Sequence, residues 1–186
     1  MSRRRLAALL AGCAVLAAGA AAADTMHLYS YDPADPATVR AAGPLTFTFK
    51  KGLLHTTLLN LRSTVAPATA YLRLVDVRAL GRGGLPADAE AVGVYRAERN
   101  LYEVEPDAEG AALISAFCPG AGRAWMAFGP MRLNRDLTVL VLGAPAAGGQ
   151  ARLCRTLRFN FHGEWLLPAG RSIDPALLER PRTPLG

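Results

Sequence analysis

The feature that most constrains this chain is a two-residue rhythm repeated in short stretches. In "LTFTFK", Leu45, Phe47 and Phe49 alternate with Thr46, Thr48 and Lys50. Successive side chains of an extended strand point to opposite faces, so such a stretch buries one side and wets the other. "LLHTTLLNL" follows Lys51 and Gly52, which reads as a hairpin closed by a tight glycine turn. "AYLRLVDVRAL", "AVGVYRA", "NLYEVE", "ALISAFC", "RAWMAFG", "LTVLVLG" and "ARLCRTLRFNFHGEW" continue the series, and "MHLYSY" extends it toward the N-terminus. Turn-rich pieces such as "GRGGLP", "PGAG" and "GAPAAGGQ" separate them. This spacing predicts a mainly β fold: an antiparallel β-sandwich of about nine strands with two short helices.

The helices are signalled by their ends. Asp35 can cap, Pro36 suits the first helical position, Gly43 suits a left-handed terminus and Pro44 stops continuation. Asp174 and Pro175 in "SIDPALLER" repeat the entry, with Ile173 able to staple onto Leu178. Pro86 to Val94 reads equally as helical turn or strand. No fixed-period repeat is present, which argues against a propeller or solenoid. The last residues, from about 181, read as a loose tail.

The N-terminus carries a different signal, "RRRLAALLAGCAVLAAGAAAADT". Three arginines, an apolar Ala/Leu-rich stretch and then Ala21, Ala22 and Ala23 form the three regions of a secretory signal peptide, so residues 1–23 are expected to be removed. The mature 24–186 would then form a single β-sandwich domain of 163 residues, long enough for a sizeable core. Leu10 to Cys13, "LAGC", resembles a bacterial lipobox, and "SRRRLA" resembles a twin-arginine export signal. The apolar run continues past Cys13, which favours ordinary cleavage. The expected location is periplasmic or secreted; the alternative is a lipoprotein anchored through Cys13.

Either route removes Cys13 from the fold and leaves Cys118 and Cys154. A single pair in an oxidising compartment predicts one disulfide. Without Arg3, Arg4 and Arg5 the 21 basic residues fall to 18 against 15 acidic, so the net charge drops from +6 to +3. The remaining charges are scattered, which argues against a nucleic-acid partner.

No sequence motif for catalysis or a cofactor stands out. Ser30, Ser63, Ser115 and Ser172 lack the glycine-flanked setting of a hydrolase nucleophile. His27, His55 and His162 are far apart, and a metal site would need all three to converge. Glu103 and Glu105 share a strand face and read as solvated. No cofactor or metal is called for.

The richest polar and aromatic stretch is Arg155 to Trp165. Its parity puts Leu153, Leu157, Phe159, Phe161 and Trp165 toward the core, with Arg155 breaking the pattern and hinting at a bulge near Cys154. The opposite side forms a candidate binding surface of Arg158, Asn160, His162 and Glu164. Tyr29 and Tyr31, of one parity, form a second candidate. The residues point to an exported binding or interaction module for an envelope protein or polar ligand. The alternatives are a periplasmic hydrolase whose site converges only in three dimensions, and an assembly accessory or inhibitor that adds an edge strand to a partner.

Overall fold

A computed structural model describes residues 25–52, 55–65, 68–94, 100–129, 131 and 135–167. Eight strands follow one another: β1 (Thr25–Pro33), β2 (Leu45–Lys51), β3 (Thr56–Ser63), β4 (Ala68–Val75), β5 (Leu101–Val104), β6 (Arg123–Phe128), β7 (Leu137–Ala144) and β8 (Arg152–Leu167). Each pairs antiparallel with the next, and β8 returns to β1, closing the sheet into an up-and-down barrel. The mainly β, antiparallel character agrees with the sequence; the nine-strand sandwich does not. Alternation marks one buried and one wet face, and a barrel wall and a sandwich sheet share that pattern. The choice is made by the β1–β8 ladder, where Met26 meets Leu167 and Pro33 meets Phe159.

"ALISAFC" is part of a helix. The helix α1 (Pro36–Ala41) lies between β1 and β2, α2 (Ala87–Val92) between β4 and β5, and α3 (Ala108–Phe117) between β5 and β6. In α3, Asp107 accepts a hydrogen bond from the Gly110 amide at 2.7 Å, and Gly110, Leu113, Ile114 and Phe117 are buried at helical spacing. This cap and period defeat the alternation read into the segment. The α1 expectation agrees with the structure: the Asp35 side chain accepts from the Thr38 amide at 2.8 Å, and Gly43 has φ 58°. Pro86 to Val94 resolves to α2, capped by left-handed Gly93. Ala91 and Val92 of "AVGVYRA" therefore belong to a helix, and residues 95–99 lie outside the described set. So do the export segment, "SIDPALLER" and the tail.

Odd-numbered strands end, and even-numbered strands begin, at one end of the barrel. There α3 lowers Leu113, Ile114 and Phe117 into the interior among Phe47, Leu61, Met126 and Phe159. Cys118, at the C-terminal end of α3, is bonded to Cys154 on β8, with their Cα atoms 5.3 Å apart. Gly143 lies beneath this bridge, where a Cβ atom would stand 2.2 Å from the Cys118 Sγ. One end of the barrel is thus filled and fastened.

A second apolar layer covers part of the outer wall. Leu80, from a 3₁₀ turn at Val77–Leu80, and Ala89 of α2 pack on Leu101, Trp125, Ala127, Leu140 and Leu142. Much of the remaining outward row is polar, with Thr46, Lys50, Arg62, Arg73, Arg158 and Asn160, unlike the apolar band of a lipid-spanning barrel. No described helix is long and apolar enough to cross a membrane.

Candidate functional site

Two bulges in β8 determine which of its side chains reach the interior. On β8, Val141 pairs with Arg155 and Leu142 with Leu153, so Cys154 is the extra residue, the irregularity that Arg155 hinted at. Leu153 consequently joins the outer apolar layer. Further along, Ser30 pairs with Gly163 but Tyr31 with Phe161, which leaves His162 as an extra residue. A one-residue insertion exchanges the faces of everything beyond it. Glu164 therefore faces inward opposite Tyr29, and Trp165 faces outward, 40% exposed, instead of entering the core.

This second bulge divides the row of Arg158, Asn160, His162 and Glu164. Arg158 and Asn160 remain exposed on the outer wall. His162 Nδ1 lies 2.6 Å from the Asp32 carboxylate, and its ring stacks with Trp165, centroids 5.7 Å apart. Glu164 instead joins Tyr29, the second candidate, inside the barrel. Tyr31 is wholly buried among Phe47 and Phe161, and its hydroxyl has no hydrogen-bond partner among the described residues. Burial raises its pKa well above the ordinary tyrosine value.

The interior at the end opposite α3 holds a polar cluster. Thr25 and His27 are two residues apart on β1 and share its inner face with Tyr29; Lys51 is the cross-strand partner of Thr25. Glu164 Oε1 is 2.5 Å from His27 Nδ1 and 3.5 Å from Lys51 Nζ. Lys51 donates to the Tyr29 hydroxyl at 2.9 Å and lies over its ring. On the other side of the imidazole, Nε2 is 3.1 Å from Thr25 Oγ1.

Charge fixes the direction of these bonds. Burial raises the Glu164 pKa, but the His27 hydrogen bond and the neighbouring Lys51 and His27 charges outweigh it, so the carboxyl is held below its usual range. Lys51 is pulled down by burial and pushed up more strongly by Tyr29 and Glu164, so it stays an ammonium. An ionised carboxylate only accepts, so His27 Nδ1 carries a proton. In the neutral ring Nε2 is then the acceptor, and the Thr25 hydroxyl donates to it. The order Thr25, His27, Glu164 is that of a hydroxyl, a base and the acid that orients the base.

The wall beside this cluster is incompletely paired. β3 and β4 share three residue pairs: Asn60 with Tyr71, Leu61 with Ala70 and Arg62 with Thr69. Beyond them the strands part around a cleft of about 320 Å³ lined by Thr56, Thr57, Leu58, Leu72, Leu74 and Tyr102, with Arg73 and Glu105 also contributing. The Tyr71 carbonyl accepts from the Glu105 amide on the β5 side, and main-chain direction alternates along a strand. The main-chain groups of Leu72 and Leu74 therefore face the β3 side, and those of Leu74, beyond the last ladder pair, point into the cleft. Leu74 is 60% exposed there, and Thr56 is the cross-strand partner of Lys51, which makes the apolar cleft and the polar cluster neighbours.

Glu103 faces outward as its parity requires, yet it is not solvated. Arg73 and Arg123 both pair with its carboxylate, and the Arg123 guanidinium covers the Trp125 ring. His55 is exposed at the β2–β3 turn, where the Gly52 amide donates to its carbonyl. The three histidines therefore stand apart, and no group of three or more metal-ligating side chains occurs among the described residues.

The sequence reading missed Thr25 and Lys51. The available signal was Thr25-x-His27, two polar residues of one parity at the start of a strand. No family model, curated protein or solved structure matches this chain.

Proposed function

We propose that this protein is an exported binding module that takes a small amphiphile, with the apolar body in the β3–β4 cleft and an anionic or hydroxyl head at Lys51. The carrying observation is the cleft itself: a barrel wall paired over three residues, opening beside an interior cation. Ligand sites combine an apolar lining with a few placed polar groups, and this volume lies at the small end of their range. Of the charged members of the cluster, Lys51 is the most exposed, so an entering ligand meets a cation first.

Fluorescence titration with 11-(dansylamino)undecanoic acid tests this reading. Saturable binding, weakened about tenfold or more by Leu74→Asp and by Lys51→Met, supports it. A matched alkyl chain ending in trimethylammonium should compete poorly. Absence of saturable binding, or equal competition by the cationic chain, counts against it.

A second reading is favoured by the main chain of Leu74, which faces the β3 side beyond the last β3–β4 pair. An extended peptide could add a strand in the gap, supplying backbone hydrogen bonds to one partner edge and side chains to the cleft. In that case extended peptides would bind saturably in a calorimetric titration, while the dansyl fatty acid would show no saturable binding.

A further inference from the structure

We propose that Thr25, His27 and Glu164 form a hydrolytic relay acting on carboxylic esters, with Lys51 placed to stabilise the oxyanion. This goes beyond binding: it assigns a reaction to groups that a mere ligand head would not require. The inference shares the cleft with the preceding reading but rests on the relay.

Each part follows from a position in the barrel. Thr25 Oγ1 lies 3.1 Å from His27 Nε2, and with the ring neutral the hydroxyl donates to it, within the reach a base needs for the proton it removes. Glu164 fixes the imidazole from the other side at 2.5 Å, holding the tautomer whose Nε2 lone pair faces Thr25. Lys51 is the direct cross-strand partner of Thr25 on the same inner face, and side chains so paired have Cβ atoms about 5 Å apart. A fixed cation beside the nucleophile is the electrostatic element that acyl transfer demands. Thr25 is exposed, whereas His27 and Glu164 are mostly covered, so substrate can reach the hydroxyl while the base stays oriented.

The chemistry balances without a co-reactant other than water. As Thr25 Oγ1 bonds to the ester carbonyl carbon, its proton passes to His27 Nε2, and the carbonyl oxygen becomes an oxyanion beside Lys51. The carbonyl re-forms, the bond to the alcohol oxygen breaks, and the imidazolium returns the proton to the departing alcohol. A water molecule then attacks the acyl-threonine ester, giving a proton to His27. Collapse of that intermediate releases the acid and restores the Thr25 hydroxyl. Thr25 and His27 are the catalytic residues, and Glu164 is a positioning residue.

Hydrolysis of p-nitrophenyl acetate and p-nitrophenyl octanoate by the folded mature protein tests the relay. Thr25→Ala and His27→Gln should each lower the rate about a hundredfold, and Thr25→Ser should keep it, because serine supplies the same hydroxyl. Glu164→Gln should lower kcat with little change in KM and alter the pH profile, since an amide can donate to Nδ1 and reverse the tautomer. His162→Gln, a change on the outer wall, should leave the rate unchanged. Diethyl p-nitrophenyl phosphate should leave a diethylphosphoryl group on Thr25, seen by peptide mass spectrometry. A wild-type rate equal to that of Thr25→Ala with both esters, or an adduct elsewhere and none on Thr25, would overturn the proposal. Acetate hydrolysis depends on the relay alone and octanoate preference on the cleft, so failure of one does not mask the other.

Discussion

Glu164 owes its role to its neighbour. Counted from Phe159 by twos it belongs outside, and the extra residue at His162 turns it inward against His27 and Lys51. Its depressed pKa gives the ion pair a pH signature. Because the folded value lies below the unfolded one, the stabilisation is complete above the ordinary carboxylate range and fades as pH falls through the folded value. Thermal melts from about pH 6 to pH 3 should therefore show a steeper loss for wild type than for Glu164→Gln, whose amide does not titrate. Identical slopes would mean that the carboxylate gains nothing on folding. The same strand separates core from surface residue by residue. Phe159→Ala should cost about 3 to 5 kcal/mol, as deletion of a buried ring. His162→Ala, on the exposed side, should stay within about 1 kcal/mol, the loss of a surface pair with Asp32. Urea unfolding of both variants checks the contrast.

The strands were legible in the sequence where alternation ran unbroken, as in Leu45 to Lys50, or where a short β-branched and apolar run was bounded by turn signals, as in Leu137 to Gly143. Two kinds of information were not. The α3 helix carries apolar residues at 113, 114 and 117, a helical set that a short window also reads as strand, and only the Asp107 cap separates the two. Bulges were half legible: Arg155 betrayed the one at Cys154, but nothing polar interrupts the run at His162, so Trp165 was assigned to the core and Glu164 to the surface. The candidate site suffered most, since its members come from the ends of three strands and parity counted along one strand does not see across to the next. The uneven ladder has its own consequence. The backbone amide of Leu74, beyond the last β3–β4 pair, should exchange with solvent deuterium much faster than those of Val139 and Val141, which lie in the longer β6–β7–β8 ladders. Equal protection would show the β3–β4 wall to be closed in solution.

For the molecule as a whole, the barrel unites a filled end and a polar end. Helix α3 and the Cys118–Cys154 bridge fasten the first, and the second gathers Thr25, His27, Lys51 and Glu164. The bridge closes a loop of 36 residues, so Cys154→Ser should lower stability by about 4 kcal/mol at most in the chain-entropy view. Binding should survive that loss wherever the barrel stays folded, because the bridge lies at the opposite end from the site. Peptide mapping without reductant should recover the linked pair. The measurement that bears most directly on the central claim is amide chemical-shift mapping during titration with decanoate. Shifts concentrated at Thr25, Lys51, Thr57, Leu72, Leu74 and Tyr102 are expected, tracing the cleft and the adjoining cluster. Shifts confined to Arg158, Asn160 and His162 on the outer wall, or no saturable shifts at all, would contradict it.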